Sequence, residues 1–310
     1  MQDAGREVLD YLAGRFTYHS RDEWIALISA GRILVNGTCC APDTPLANGD
    51  EIEYRIEGLP EPPVADNYRV LYEDRALLAV DKPANLPCHP AGPFFNHTLW
   101  AFMKRDFEGL IPRFVSRLDR ETSGVVLVAR TANVQRTCQA LGDAGRIAKV
   151  YSVLVEGEFP EALSAKGFLL ADPASPVRKK QRFVPARECA APPAGARECE
   201  TIFAHLETRG ELSLVEARLV TGRHHQIRAT LCSLGYPVVG DKLYGVDDTC
   251  FLRFIEDKLT GEDRHRLRLP RQALHATRLR LPHPESGKTL DVRSPVPKEF
   301  YEVLHGALAP

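Results

Sequence analysis

An α+β fold is what the amino-acid sequence predicts, on three observations. Short apolar runs such as Leu77-Leu78-Ala79-Val80 and Val125-Val126-Leu127-Val128 read as buried strands, and Leu212 to Val220 alternates as a half-buried strand does. Among them stand capped stretches with apolar residues at helical spacing: Val134, Cys138 and Leu141 behind Thr131, and Ile227, Leu231 and Leu234 ahead of Gly235. A proline run, Leu59-Pro60-Glu61-Pro62-Pro63, sets a small first unit apart. The expected architecture is an extended, mainly antiparallel sheet with helices against it over residues 61–310, preceded by a small domain over residues 1–60.

With 310 residues, 44% of them hydrophobic, the chain can bury a large core. Its net charge of −1 excludes the global basic field of a protein that coats nucleic acid, so any RNA contact is local. Eight cysteines without a Cys-x-x-Cys pair suggest neither a zinc site nor a disulfide framework, and fit reduced thiols in a cytoplasm. The start, Met1-Gln2-Asp3-Ala4-Gly5-Arg6-Glu7, lacks the basic and apolar regions of a leader, and no 18-residue apolar run occurs, so a cytoplasmic protein is expected.

In the first unit, Val8, Leu9 and Leu12 mark one helix, and Ser20 caps a second that carries Trp24, Leu27 and Ile28 and stops at Gly31. Ile33-Leu34-Val35 then turns at Asn36-Gly37, and Asn48-Gly49-Asp50 turns into the alternating Glu51–Ile56, giving two helices and a small sheet. This unit holds five Lys and Arg against ten Asp and Glu, the wrong sign for binding phosphates. Beyond residue 60 the balance reverses to 35 against 31, which permits a basic cleft.

Strands at Val70–Tyr72 and Leu77–Val80 lead to a proline-fixed loop, Asp81-Lys82-Pro83 through Pro87-Cys88-His89-Pro90. The pivotal stretch is Ser116 to Arg130, where Asp119 lies between Arg117 and Arg120 ahead of a Thr-Ser-Gly turn and a buried strand. Two readings stay open on the residues alone: a carboxylate kept ionised by arginines for use as a nucleophile or charge stabiliser, or a structural Asp bonding turn amides. Lys149 to Glu156 reads as a strand with Tyr151, Val153 and Val155 on one face. Arg178 to Arg187 groups five cations around Phe183, a phosphate-and-stacking surface or simply a solvated face, and a low-complexity loop follows from Cys189. After Thr221-Gly222-Arg223 comes a helix on which Arg228 borders the apolar stripe, so that its guanidinium can be partly buried while pointing at the Asp119 turn. His224 and His225 are expected to face different directions, which disfavours a metal site. Leu274–Ala276 with Leu279–Leu281 is expected as a closing strand, and Ser294-Pro295-Val296-Pro297 as the end of the fold.

Arg117-Leu118-Asp119 with Thr122-Ser123-Gly124 resembles the central motif of the RluA-type pseudouridine synthases. Three further stretches in the same order carry the resemblance: Leu71 to Pro90, Lys149-Val150-Tyr151, and Thr221 to Arg228 continuing to Gly240-Asp241-Lys242-Leu243-Tyr244-Gly245. They span about residues 68 to 300. The resemblance implies the pseudouridine synthase fold and isomerisation of a uridine in rRNA or tRNA, with no cofactor and no metal. It casts Asp119 as nucleophile, Tyr151 as the ring under the uracil and a proton acceptor near the sugar, and Arg228 as the partner of Asp119, by a bidentate pair. Arg117, Arg223, His225 and Gln226 are implied in substrate binding. Ser116 and Thr230 depart from the family pattern, which has His at both. Ser20-Arg21, Gly31-Arg32 and Val35-Asn36-Gly37 resemble an αL-type RNA-binding module, the alternative being a structural or docking appendage. Two rival functions are a catalytically silent RNA-binding or ribosome-assembly factor, and a hydrolase with Asp119 and His225 as acid and base.

Overall fold

A computed structural model describes residues 5–16, 18–58, 60–245 and 247–307; Leu59 of the expected linker and the start Met1–Ala4 lie outside them. The chain forms two compact units, residues 1–64 with 89–102 and residues 65–88 with 103–310. The first unit therefore extends past the expected boundary at residue 60 and takes in a segment assigned from sequence to the second domain.

In the first unit, helices α1 (Val8–Arg15) and α2 (Arg21–Ser29) accompany a sheet of β1 (Ile33–Val35), β2 (Thr38–Cys39) and β3 (Ile52–Tyr54) in the order β2-β1-β3. Ser20 Oγ accepts from the Glu23 amide at 3.2 Å while the Glu23 carboxylate accepts from the Ser20 amide at 2.6 Å, a reciprocal cap that fixes the start of α2. Val8, Leu9, Leu12, Trp24 and Ile28 turn inward onto Ile33 and Leu46. Asn36 and Gly37, at φ 51° and 76°, make the tight turn between β1 and β2.

The proline run is no free tether. The Glu61 carboxylate accepts from the backbone amides of Phe95, Asn96 and His97 at 2.8 Å each, and from the Asn96 side chain. Burial would raise this carboxyl, but the amides outweigh it and hold it below the ordinary range. We expect Glu61→Ala to cost about 1–3 kcal/mol, because several donors lose one charged acceptor together. Limited proteolysis should then cut within residues 89–98 first.

In chain order there follow β4 (Arg69–Glu73), β5 (Leu77–Lys82), α3 (Leu99–Asp106), β6 (Arg113–Phe114), β7 (Ser123–Ala129), α4 (Ala132–Asp143), β8 (Ala148–Glu156), β9 (Ala162–Ala171), β10 (Gln181–Pro185) and β11 (Arg197–Arg209). Then come β12 (Leu212–Leu219), α5 (Gln226–Ser233), α6 (Thr249–Ile255), α7 (Gly261–Leu267), β13 (Leu274–Pro282), β14 (Thr289–Arg293) and α8 (Lys298–Leu304). The main sheet runs β10-β9-β11-β12-β8-β13-β7-β5-β4, with β14 on β13 and β6 on β7. Its pairings are antiparallel except β13 with β7. This is the mainly antiparallel α+β sheet expected from the sequence.

β13 corrects one expectation, since it lies mid-sheet and fastens β8 to β7 rather than closing an edge. Leu274, His275 and Ala276 are accordingly buried, and the His275 ring bonds Ser123 Oγ at 2.8 Å and Ser294 Oγ at 3.1 Å. Gly124, at φ 109°, permits the crossing: a Cβ there would meet the Ala276 carbonyl oxygen at 2.3 Å. The chain also continues past the expected end into α8, whose Phe300, Val303 and Leu304 join the core of β8, β12 and α5. The Arg178–Arg187 run becomes the edge strand β10, with Lys179 Nζ 4.0 Å over the Phe251 ring. Among the described residues no helix is long and apolar enough to cross a membrane.

Candidate active site

Asp119 sits in the turn that enters β7, its carbonyl accepting from the Thr122 amide at 3.1 Å. Both neighbours are pinned by the loop after β5. Cys88 Sγ lies 3.5 Å from the amide and the carbonyl of Leu118, and Lys82 Nζ donates to Arg120 O at 3.2 Å. Lys82 is fully buried, and Nζ also donates to the carbonyls of Pro83 and Leu86 at 2.8 and 2.9 Å. Burial pushes its pKa down to about 8, yet three carbonyl acceptors keep the ammonium in place at neutral pH. The Asp81-Lys82-Pro83 loop is thus a buried splint for the residues around Asp119.

Arg228 comes from the first turn of α5. Its Nη1 donates to Asp119 Oδ2 at 2.7 Å, so the two groups meet as the sequence suggests. The bidentate partner, however, is Asp241: Nε and Nη2 donate to its two oxygens at 2.6 and 2.8 Å. Geometry explains this, because one flat guanidinium presents a full edge to a single carboxylate and keeps one corner for another. Asp241 is itself fully buried and also accepts from the amides of Leu243 and Tyr244 at 3.0 Å. Next to it, Lys242 Nζ reaches Glu121 at 2.7 Å and ties the same loop to the Asp119 turn. Burial would raise Asp119, but Arg228 prevails and holds it well below the usual carboxylate range.

Tyr151 lies on β8 with Ala217 and Ala276 opposite it on the neighbouring strands, methyl groups that leave room for its ring. Burial, and the negative charge of Asp119, push its hydroxyl above the ordinary phenol value, so it is neutral at physiological pH. Tyr151, Asp119, Arg228 and His225 line one open cleft, with Arg117, Arg223 and Gln226. Arg117 and Arg223 are exposed. Arg223 Nε bonds Glu198 O at 3.1 Å.

Gln226, implied in substrate binding, lines the same cleft, and its amide group is bonded within the protein. Its amide oxygen accepts from Thr221 Oγ1 and the Arg223 amide, both at 2.9 Å, and its nitrogen donates to Glu200 O and Thr201 Oγ1 at 3.0 and 2.9 Å. With its amide bonded on both sides, it shapes the turn before α5. The two histidines also depart from expectation. Because His225 adopts left-handed backbone at φ 57°, its ring stacks on His224 at 3.7 Å and 25° instead of pointing elsewhere. Asp119, His224 and His225 place ligand-type atoms within 4.8 Å of one another. A guanidinium already holds one carboxylate oxygen there, and burial lowers both histidines, so the group reads as the Arg228–Asp119 ion pair flanked by two neutral imidazoles. Sequence reasoning also passed over Gln272, buried, with Nε2 bonded to Thr122 Oγ1 and 3.5 Å from Asp119 Oδ2.

Thr230, the second departure from the family pattern, is fully buried on α5, and its hydroxyl has no hydrogen-bond partner among the described residues. We expect Thr230→Val, nearly isosteric, to raise stability by about 1 kcal/mol and leave turnover unchanged. Chemical denaturation and initial rates check this together.

A model of the RNA pseudouridylate synthase family matches residues 76–233. An uncharacterized RNA pseudouridine synthase of Chloroflexus aurantiacus is 34% identical over 95% of this chain and 87% of that protein. Ribosomal large subunit pseudouridine synthase D of Pseudomonas aeruginosa is 31% identical over 97% of this chain and 92% of that protein. The mitochondrial tRNA pseudouridine(32) synthase of Saccharomyces cerevisiae is 29% identical over 78% of this chain and 51% of its own length. Among solved structures, human RNA Pseudouridylate Synthase Domain Containing 1 shares the fold, with a TM-score of 0.58 at 24% identity over 76% of this chain and 86% of that one.

Proposed function

The chain belongs to the RNA pseudouridylate synthase family, whose members are isomerases acting on RNA, and on that premise we propose that the cleft of Asp119, Tyr151 and Arg228 converts a uridine in rRNA or tRNA to pseudouridine. The bond from uracil N1 to the sugar C1′ breaks, the base rotates, and C5 bonds to C1′. C5 loses its proton and N1 gains one, so atoms and electrons balance without an oxidant, a metal or a cofactor.

One observation carries the assignment. Arg228 fixes Asp119 Oδ2 at 2.7 Å, while Oδ1 keeps no hydrogen bond among the described residues in a cleft that Tyr151 also lines. An ionised, oriented carboxylate with one free oxygen is what attack at C1′, or stabilisation of a sugar cation, requires. Arg117 and Arg223 at the rim suit phosphate contacts, and a flipped uridine has the Tyr151 ring to stack on. The hydrolase alternative loses its acid, since burial and the Arg228 charge push His225 down to about 3 and leave it neutral. A silent binding factor has no use for so ordered a carboxylate.

The first unit is better read as an appendage than as the source of phosphate affinity. Arg21 is taken by Asp10 at 2.6 Å, Arg55 by Glu53 at 3.0 Å, and Arg32 bonds the Glu57 carbonyl. Relatives along nearly the whole chain carry the large-subunit name, so rRNA is the first RNA to test. Pseudouridine maps of cells with and without the gene should differ at discrete uridines, restored by the wild-type gene. Identical maps would sink the reading.

A further inference from the structure

We infer that His225 is a positioning residue for Asp119: the Tyr244 hydroxyl fixes its proton on Nε2, and that N–H orients the carboxylate oxygen Oδ1 which Arg228 leaves free. The inference rests on Asp119 as the reacting carboxylate.

Tyr244 is buried, at 1% exposure, so solvent does not serve its hydroxyl. Its oxygen accepts from the Gln181 amide at 3.0 Å and lies 2.9 Å from His225 Nδ1. A backbone N–H can only donate, so among the described residues Nδ1 is the acceptor for the single phenol proton. The other tautomer, with a proton on Nδ1, would leave a buried O–H without an acceptor. With Nδ1 accepting, the ring carries its proton on Nε2, which faces Asp119 Oδ1 at 3.8 Å.

That separation is longer than a hydrogen bond, and catalytic contacts that are long without substrate often shorten when it binds. The Asp119 side chain is otherwise held through Oδ2 alone, by Arg228 at 2.7 Å and Gln272 at 3.5 Å. A second donor on one lone pair of Oδ1 stops rotation of the carboxylate and leaves the other lone pair open towards C1′. The imidazole is well placed for this: it stacks on His224 and meets the Tyr244 ring edge-on at 5.4 Å, while Tyr244 lies 4.9 Å under the Arg228 guanidinium. The charged or titratable groups around it are Arg228, Asp119, His224, Asp241 and Tyr244, and burial dominates them in keeping the ring neutral. The same proton occupies the lone pair that a cation between Asp119 and the two histidines would need.

Tyr244→Phe keeps the ring over Arg228 and removes the hydroxyl; the Gln181 amide loses its acceptor as well, a loss that the His225→Gln background shares. Nitrogen-15 NMR of the histidine rings in the full-length protein should show His225 protonated on Nε2 in wild type, and a mixture of tautomers in Tyr244→Phe. In the latter, kcat should fall about tenfold with KM for RNA within about twofold, the pattern of a misplaced catalytic group. His225→Gln supplies an N–H that has no tautomer, so adding Tyr244→Phe to it should leave kcat where His225→Gln puts it. Protonation on Nδ1 in wild type, or an equal kcat loss from Tyr244→Phe in both backgrounds, would overturn the inference. The ring resonances do not depend on turnover, so an active Asp119→Asn would refute the catalytic assignment without altering the tautomer result.

Discussion

Asp119→Asn should abolish turnover, by at least about 10⁴-fold, while RNA affinity stays within about threefold, because affinity comes mainly from phosphate contacts and a nucleophile contributes only along the reaction path. An asparagine amide neither attacks C1′ nor neutralises a cation, yet it fills the same space. Removing one partner of a buried ion pair ordinarily costs about 3–5 kcal/mol, since a charge is left alone. Here Asp241 keeps its bidentate hold on Arg228, so the loss should be smaller and the variant should fold. Its pH dependence follows from the depressed carboxyl of Asp119. A group whose folded pKa is lowered contributes stability above its unfolded value, about 3.9, and loses that contribution as pH falls through the folded value. Wild type and variant should therefore differ in denaturant midpoint at neutral pH and converge on acidification below about pH 4. Turnover near wild type would remove Asp119 from the chemistry; a variant that fails to fold would mean Asp241 does not compensate Arg228.

Much of this site was legible in the chain, for reasons that also show where legibility ends. Asp119, between two arginines beside a buried strand, and Arg228, at the border of an apolar helical stripe, were marked by their settings, but those settings left a structural Asp open and only the family resemblance cast the two as a reacting pair. Asp241 carried no such mark. It lies in one of the stretches that carry the resemblance, but without a role, and only the folded chain shows that it takes the whole edge of the guanidinium. For Gln226 the resemblance implied substrate binding, and nothing in the sequence signalled that its amide is bonded to Thr221, Arg223, Glu200 and Thr201. His224 and His225 were expected to diverge because consecutive helical residues do, and the left-handed backbone of His225 breaks that rule. In the fold, period and caps identified β7, β8, β12, α4 and α5, whose signals are local. The mid-sheet place of β13 was not legible, since it follows from pairing with β7 and β8 more than a hundred residues away. The seven-residue helices α6, α7 and α8 are too short for periodicity to declare them.

Tyr151→Phe is expected to separate base capture from chemistry. The ring still stacks on the uracil, worth about 1–3 kcal/mol, so binding should stay within a few-fold of wild type. The family resemblance implies the hydroxyl as a proton acceptor near the sugar, taking the C2′ proton as the base detaches and returning it once C5 has bonded to C1′; general base catalysis contributes about 10²–10⁴-fold, which is the loss expected in kcat if that step operates. The electrostatics of the site add a constraint that the sequence could not supply. Burial, and the negative charge of Asp119, hold the phenol above its ordinary value, so the competent phenolate is scarce at neutral pH and gains about tenfold with each pH unit. Wild-type kcat should therefore climb with pH and show no plateau near pH 10, where an unperturbed tyrosine would level off. Tyr151→Phe should lose that climb along with its activity, and Tyr151→Leu should lose RNA binding too. A substrate deuterated at C2′ gives the independent reading: if removal of the sugar proton limits the rate, wild type slows on the heavy substrate. Full activity in Tyr151→Phe, or a flat pH profile in wild type, would take the proton from Tyr151 and leave Asp119 to perform the bond exchange alone.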